Sequence, residues 1–309
     1  FSRDEMKQWE MEKKLKNHSN VRFFIGDVKD KDRLHRALDL VDFVVHAAAT
    51  KIVPKAEFDP LECIKTNIIG AANLIDVCID RKVKKVVALS TDKASSPVNL
   101  YGATKLVADK LFTAGNVYSR IGSREGDSES YRTSFSVVRY GNVMGSRGSV
   151  IPFFSSIMPP EKLPITDPRM TRFMISLEEG VKLVIKAFED MIGGEIYVKK
   201  IPSMNIIDIA KTVSPLSEHK IVGIRPGEKL HEQMIGPEDA FTTYEYDDYF
   251  KILPSTLKER DINEFNKRIK KGVLVKDGFT YSSDNNCDWM TNSELKDWLK
   301  QNQENMGTF

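Results

Sequence analysis

The sequence predicts a doubly wound α/β fold, a parallel sheet with helices on both faces. Short apolar runs read as buried strands at Val21–Ile25, Phe43–His46, Lys85–Leu89 and Phe135–Arg139. Helical patterns lie around them, at Asp4–Lys14, Lys31–Leu38, Asn67–Asp80 and Tyr101–Thr113. Parallel strands can be joined only through a crossover, so strand, helix, strand in repetition points to such a sheet.

Taken in order, Phe1-Ser2-Arg3 reads as the end of a strand and passes straight into the first helical stretch. Val21–Ile25 ends in Gly26-Asp27-Val28, and Phe43–His46 in Ala47-Ala48-Ala49. Lys85–Leu89 leads through Ser90-Thr91-Asp92-Lys93 and the turn Ser95-Ser96-Pro97 to the helix that begins near Tyr101, and Phe135–Arg139 runs into Tyr140-Gly141-Asn142-Val143. A doubly wound dinucleotide fold normally opens with a strand and a Gly-rich turn that seats a pyrophosphate on a helix N-terminus. No such G-x-G-x-x-G stands near the start, so the first strand and helix, on the order of 30–40 residues, are expected to lie outside this numbering. From about Gly145 the character changes. Pro152, Pro159, Pro160, Pro164 and Pro168 punctuate loops, followed by a clear helix at Leu177–Met191. The expected organisation is a dinucleotide-binding domain over 1–145, to which helix 177–191 returns, and a smaller, mainly substrate-binding domain over 146–309.

Composition narrows the function classes. A chain of 309 residues with 41% hydrophobic and 29% charged residues can bury a substantial core. Its net charge of +2 gives no electrostatic reason to expect nucleic acid or an anionic membrane as partner. Cys63, Cys78 and Cys287 are widely spaced and lack CxxC or His partners, which fits reduced thiols and a cytoplasmic location better than a disulfide frame or a zinc site. No apolar run approaches the roughly 18 residues of a membrane span.

The strongest chemical signal is Tyr101-x-x-x-Lys105. A spacing of four puts both side chains on one helix face. A phenol with a pKa of about 10 is a poor base at neutral pH, and a nearby ammonium and an oxidised nicotinamide ring would favour its phenolate. Such a tyrosine can take a hydroxyl proton while hydride leaves the same carbon. Alone the pair could be a solvated helix face; its position after a strand end that opens into a ligand crevice favours chemistry. Thr91-Asp92-Lys93 lies at that strand end and offers a carboxylic acid and an amine, though a plain Asp-Lys ion pair would look the same.

Together Gly26-Asp27-Val28, His46-Ala47-Ala48-Ala49, Asn67, Ser90-Thr91-Asp92, Tyr101-x-x-x-Lys105 and Arg139-Tyr140-Gly141-Asn142-Val143 resemble the extended short-chain dehydrogenase/reductases. Within that superfamily, Asp92-Lys93, Met170-Thr171-Arg172-Phe173 and the run Arg225-Pro226-Gly227-Glu228-Lys229-Leu230-His231-Glu232 resemble UDP-N-acetylglucosamine 4,6-dehydratases. Tyr at 101 and the expected lack of a membrane-spanning N-terminal region are most similar to the short, C5-inverting members that open pseudaminic acid biosynthesis. The resemblance implies a Rossmann-like fold and a hydro-lyase acting on UDP-N-acetylglucosamine to give a UDP-4-keto-6-deoxy-L-arabino-hexulose. Oxidation at C4 acidifies the C5 hydrogen, a base removes it, an acid helps the C6 hydroxyl leave, and the hydride returns to C6. Here Lys93 is expected to remove the C5 proton, its pKa lowered by burial beside Arg or an oxidised ring. Asp92, kept protonated by a desolvated pocket, is expected to protonate the leaving group.

The same resemblance assigns the binding residues. Asp27 and the Val28 amide are placed at the adenine, although Gly26-Asp27-Val28 could equally be a strand-ending turn. Ser2 and Arg3 suit a 2′-phosphate and hence NADP, or belong to a solvated charge run with Asp4 and Glu5. Ala47, Ala48 and Ala49 let the backbone approach the dinucleotide, with Lys51, Asn67, Tyr101, Lys105 and Tyr140 as further contacts; His46 alone would be a core histidine. For the UDP-sugar, Asn142 and Arg172 with Arg225 are placed at the diphosphate, since a guanidinium matches phosphate oxygens bidentately. Val150 and Pro152 with Pro164 and Thr166 would cradle the uracil, Glu228 the ribose, and Lys51, Pro54 and Glu57 the sugar. Arg225 and Glu228 could also be a surface ion pair. The family shows Leu where this chain has Thr50. Asn116–Thr133 reads as a hydrophilic surface excursion and Thr291-x-x-Glu294 as a capping box. A homo-oligomer is expected through helices beside the Tyr-bearing one. Two other readings use the same residues. A nucleotide-sugar epimerase would keep Tyr101 and Lys105 with no use for Asp92-Lys93, and a non-catalytic dinucleotide sensor would bind without turnover.

Overall fold

A computed structural model describes residues 1–121, 132–157, 160–254, 272–303 and 306–307. Helices α1 (Glu5–Lys14) and α2 (Lys31–Ala37) precede strand β1 (Phe43–His46); α3 (Val53–Phe58), α4 (Pro60–Ile64) and α5 (Gly70–Asp80) lead to β2 (Lys85–Thr91), and α6 (Leu100–Ile121) to β3 (Ser134–Tyr140). Next come β4 (Asn142–Val143), α7 (Val150–Ser156), β5 (Leu163–Ile165), β6 (Thr171–Ile175) and α8 (Leu177–Asp190). The chain continues through β7 (Ile196–Lys199), β8 (Ser203–Asn205), α9 (Ile206–Val213), β9 (His219–Ile221) and β10 (Gln233–Ile235). It ends with β11 (Thr243–Glu245), β12 (Tyr249–Ile252), β13 (Val273–Leu274), β14 (Tyr281–Ser282) and α10 (Asn292–Asn302).

The main sheet runs β1-β2-β3-β7-β12-β11-β13. Its first four strands are parallel, as expected, and β12, β11 and β13 add an antiparallel edge. Central β2 is apolar in succession because both of its faces are covered: Val86 and Val87 are fully buried and Ala88 nearly so. Helices α5 and α6 pack on one another and α6 lies on β2 and β3, while α8 packs against β2, β3 and β7. A second buried cluster, with Ile151, Phe154, Leu163, Met174, Met204, Ile209 and Leu295, joins α7, β5, β6, α9 and α10. Thr291 opens α10 through the expected capping box with Glu294. The three cysteines are free thiols. Among the described residues no helix is long and apolar enough to cross a membrane.

Three local expectations change. Val21–Ile25 is not a strand of the sheet: only Ile25 pairs, in an isolated parallel bridge to Ser2. A ladder needs consecutive partners, and Phe1–Arg3 turns at once into α1, whose N-cap is Asp4, so one bridge is all that forms. The helix expected over Asn67–Asp80 begins as a π-turn at Lys65–Ile69 before α5. The Tyr-bearing helix runs to Ile121 instead of Thr113. Asn116 is buried there and ties the helix to β3, donating to the Phe135 carbonyl and accepting from its amide, both at 3.0 Å. Of the expected surface excursion, residues 122–131 lie outside the described residues.

Candidate active site

The site is assembled where β2 stops. After Thr91 the chain makes a tight 3₁₀ turn over Asp92–Ala94; the Thr91 hydroxyl caps it, accepting from the Lys93 amide and donating to Asp92 Oδ1 at 2.8 Å. Helix α6 starts six residues later, its first turn held by Asn99 Oδ1, which accepts from the Gly102 amide, and by Glu57 Oε1, which accepts from the Leu100 amide, both at 2.7 Å. Gly102 lets the helix lie directly on the turn: a Cβ there would overlap the Lys93 carbonyl and press on Pro97. A Gly102→Ala variant is therefore expected to push Tyr101 away from Asp92 and Lys93. It should cut turnover at least tenfold while lowering the unfolding free energy by about 1–3 kcal/mol. Steady-state kinetics beside urea unfolding would show this, and an unchanged kcat would contradict it.

Residues 92, 93 and 101 face one another. Asp92 is fully buried, Tyr101 is 8% exposed, and Lys93 Nζ sits 3.1 Å from Asp92 Oδ1 and 3.1 Å from Glu232 Oε1. Burial raises the Asp92 carboxyl above its ordinary range, with Glu232 adding to the rise and Lys93 opposing it. Lys93 departs from expectation. Burial acts to lower its ammonium, but Asp92 and Glu232 outweigh burial and Arg172, so it is held well above the usual lysine range. Glu232 itself is pushed up by burial, yet Lys93 and Arg172 prevail and keep it ionised. The Tyr101 phenol is pushed up to about 12, chiefly by burial, with Lys93 as the main opposing charge. Lys105 Nζ donates to the Leu89 carbonyl at 2.8 Å, pinning α6 to β2. Burial lowers the Lys105 pKa, against the pull of Asp109.

Lys93 opens into a cleft of about 590 Å³. Asn142, Val150, Pro152, Pro164, Thr166, Arg172, Arg225 and Glu228, expected at the UDP-sugar, all line it, as does Pro54. Arg172 is nearly buried and donates to the Thr171 and Leu230 carbonyls at 2.7 and 3.1 Å. Arg225 is solvent-facing and pairs with Glu228 at 2.9 Å, so both the surface ion pair and the cleft position are realised. Glu57, expected at the sugar, is not among the residues lining this cleft; its Oε1 caps α6. Several buried polar atoms on or beside the cleft have no protein partner: Asp92 Oδ2, Glu232 Oε2, Asn142 Oδ1 and Ser149 Oγ.

The residues expected at a dinucleotide lie toward the other strand ends. Arg3 Nη1 stands 3.6 Å from Asp27 Oδ2, with the guanidinium largely exposed and Val28 buried beneath. Ser2 Oγ accepts from the Asp4 amide at 3.1 Å. Ala47 and Ala48 are exposed where β1 ends, with Ala49 half-buried. Lys51 is lowered by burial and by the nearby charges of Lys7 and Arg147. The Tyr140 phenol is raised by burial to about 12. His46 is a core histidine, packed 5.3 Å from the Phe112 ring and pushed down to about 3 by burial. Asn67 is not free for a ligand. Its Oδ1 accepts from the Thr50 amide at 2.9 Å, and its Nδ2 donates to the Thr50 carbonyl and Thr104 Oγ1, each at 3.0 Å. With the amide saturated, Asn67 clamps the loop after Ala49, and Thr50 supplies both backbone partners.

Sequence reasoning assigned no role to Glu232, Lys229, Asn99 or Asp109. Glu232 and Lys229 belong to the run Arg225–Glu232, but nothing local shows that Glu232 turns toward Lys93 or that Lys229 Nζ reaches the Ser95 carbonyl at 2.6 Å. A signal did exist for Asp109, an acidic residue on the apolar face of a helix; it accepts from Ser90 Oγ and pairs with Arg139, both groups buried.

The parallel sheet and the Tyr101, Lys105, Asp92 set at its carboxyl edge define an extended short-chain dehydrogenase/reductase. Residues 1–254 match the polysaccharide biosynthesis protein family, and the chain belongs to it. It is 54% identical over 307 residues to a UDP-N-acetylglucosamine 4,6-dehydratase (inverting) of Campylobacter jejuni, covering 98% of this chain and 89% of that protein. It is also 42% identical over 287 residues to a UDP-glucose 4-epimerase of Rickettsia canadensis, covering 91% and 80%. The X-ray structure of Pen from Bacillus thuringiensis superposes with a TM-score of 0.85 at 34% identity, over 98% of this chain and 89% of that one. The family resemblance read from the motifs is borne out by these matches.

Proposed function

We propose that this protein is an NADP-dependent UDP-N-acetylglucosamine 4,6-dehydratase that inverts C5, the opening reaction toward pseudaminic acid. The observation that carries the reading is the meeting of Asp92, Lys93 and Tyr101, of which Lys93 lines a cleft shared with Arg172, Arg225 and Asn142. The relation to an inverting dehydratase over nearly the whole chain supports the substrate and the stereochemistry. Arg3 beside Asp27, and the small residues after β1, form an edge that fits an adenosine with a 2′-phosphate. A nicotinamide dinucleotide held there supplies acceptance of a hydride from C4 and its return to C6. The protein's own groups do the rest. Tyr101, as the phenolate that Lys93 and an oxidised nicotinamide ring favour, takes the C4 hydroxyl proton. The unprotonated amine of Lys93 takes the C5 proton once the ketone has acidified it, and Asp92, biased toward its protonated form, gives a proton to the departing C6 hydroxyl. A solvent-derived proton reaches C5 on the opposite face as hydride returns to C6. The diphosphate lies on Arg172 and Arg225, and Asn142 Oδ1, buried without a protein partner, is left for the substrate. The protein works in the cytoplasm as a homo-oligomer, with exposed Val107, Val117 and Tyr118 on α6 offering apolar surface for a second copy.

The reading is tested by incubating the protein with NADP and UDP-N-acetylglucosamine in deuterated water and following the product by NMR. Loss of water, a C6 methyl and one deuterium at C5 of the L-arabino isomer are expected; an axial C4 hydroxyl with C6 oxygen retained would identify an epimerase instead. Tyr101→Phe should lower kcat by about 10²–10⁴-fold, the range for loss of a general base. A loss smaller than tenfold would remove Tyr101 from the proton step.

A further inference from the structure

We propose that Glu232 is a positioning residue of the dehydration, holding the Lys93 amine in the cleft from the side opposite Asp92. The inference rests on the dehydratase reading. Lys93 comes from the turn after β2 and Glu232 from the segment entering β10, some 140 residues later, yet their side chains meet at 3.1 Å. The two carboxylates flanking Nζ are almost wholly buried, with side chains 1% and 3% exposed, whereas Lys93 is 23% exposed. The amine is thus the most accessible corner of a buried triad, and it lines the cleft together with Glu232, while Asp92 lies outside the lining. A lysine stem has four rotatable carbons, so one carboxylate would leave Nζ free to swing; two fix it.

The backbone makes this grip rigid. The Glu232 amide donates to Ser283 Oγ at 2.9 Å, and the Ser283 amide returns a bond to the Glu232 carbonyl at 2.7 Å. Ser283 Oγ is in turn bonded to Thr171 Oγ1 at 2.7 Å, beside Arg172, whose Nε lies 3.7 Å from the same Glu232 oxygen that meets Lys93. One carboxylate oxygen therefore faces both the cation assigned to the diphosphate and the amine assigned to C5. Glu232 Oε2 is buried without a protein partner, so the contacts of the carboxylate run through Oε1, the oxygen that meets Lys93.

The role has a readout in proton affinity. The charged and titratable groups that face Lys93 are Asp92 on its own turn, Tyr101 on α6, Arg172 on β6, and Lys229 and Glu232 on the segment before β10. Of these only Asp92 and Glu232 favour the ammonium. Removing the Glu232 charge lowers the proton affinity of Lys93, so its amine becomes free at lower pH.

The experiment is the pH profile of kcat and KM for UDP-N-acetylglucosamine in wild type, Glu232→Gln and Glu232→Asp. In Glu232→Gln the midpoint of the alkaline rise of kcat, which lies above the usual lysine range in wild type, is expected to move down by at least one pH unit toward that range, with KM changed less than threefold. Glu232→Asp, which keeps the charge but draws it back, should show a smaller shift in the same direction. A Glu232→Gln enzyme with an unmoved midpoint overturns the proposal even if kcat falls. Should that variant fail to fold, a Glu232→Asp profile superposed on wild type overturns it instead. Wild type is assayed first. If it forms no 4-keto-6-deoxy product, the dehydratase reading falls; if it does and neither midpoint moves, only the Glu232 role falls.

Discussion

Replacing Lys93 by alanine is expected to lower the rate of dehydration by about 10³-fold or more, within the range for loss of a general acid–base group. The same change should abolish deuterium incorporation at C5, whereas Asp92→Asn should retain C5 exchange while blocking loss of water. The opposite pattern would reverse the roles of the two residues. Lys93→Ala also has a consequence for stability, because it withdraws the ammonium that lies between two buried carboxylates. Glu232 is held below its ordinary range by Lys93 and Arg172 against burial, so its folded pKa is depressed. A group of that kind contributes stability above its unfolded pKa and loses it as the pH falls through the folded value. In the alanine variant most of that depression disappears, and Asp92, already raised by burial, loses its counterion. The deficit relative to wild type should therefore be largest at neutral pH and shrink as the pH falls through the carboxylate range, where both groups accept protons. Urea unfolding at pH 7.5 and pH 5 would measure it, and a deficit that grew on acidification would contradict the charge assignment.

Asp109→Ala is expected to be the most destabilising change away from the chemistry, costing about 3–5 kcal/mol. Asp109 and Arg139 are both almost fully buried, 3.3 Å apart, and Asp109 also accepts from Ser90 Oγ at 2.8 Å. Deleting the carboxylate strands a guanidinium and a hydroxyl inside the protein, and an uncompensated buried charge costs far more than the pair gained. Arg139 keeps its bond to the Met234 carbonyl at 2.7 Å and a longer contact to Asp239, which limits the loss but cannot replace a buried counterion. Since a domain of this kind is typically stable by about 5–15 kcal/mol, the variant should be marginal at 37 °C. Asp109→Asn, keeping the shape and the Ser90 bond, should lose less. A chemical-denaturation shift below about 1 kcal/mol for the alanine variant would show that the pair is dispensable. Arg139 ties β3 to the segment next to Glu232, so activity is expected to fall with stability in both variants.

Much of the site was legible in the residues because it is built from strand ends, where a short motif and its geometry are nearly the same thing. Ser90-Thr91-Asp92-Lys93 followed by Tyr101 can fold in few ways once β2 is buried on both faces, so the facing of Asp92, Lys93 and Tyr101 is a local consequence. The cleft residues were legible through their resemblance to a family and not through pattern. Nothing in the spacing of Asn142, Pro164 and Arg225 tells that they share one wall.

What the chain alone settled is the alternation of elements, the parallel core of the sheet and the carboxyl-edge position of the chemistry, all set by periodicity and by short connections. What only the folded molecule decided is electrostatic. Whether Lys93 gains or loses proton affinity depends on which charges close around it, and one of them, Glu232, arrives from a distant segment. Whether Lys105 bonds the Leu89 carbonyl depends on how α6 lies on β2, and whether Asn67 is a ligand or a clamp depends on how Thr50 uses up its amide. Charge and hydrogen bonding act over a few ångströms in space with no regard for separation along the chain, so they become readable only when the fold has chosen the neighbours.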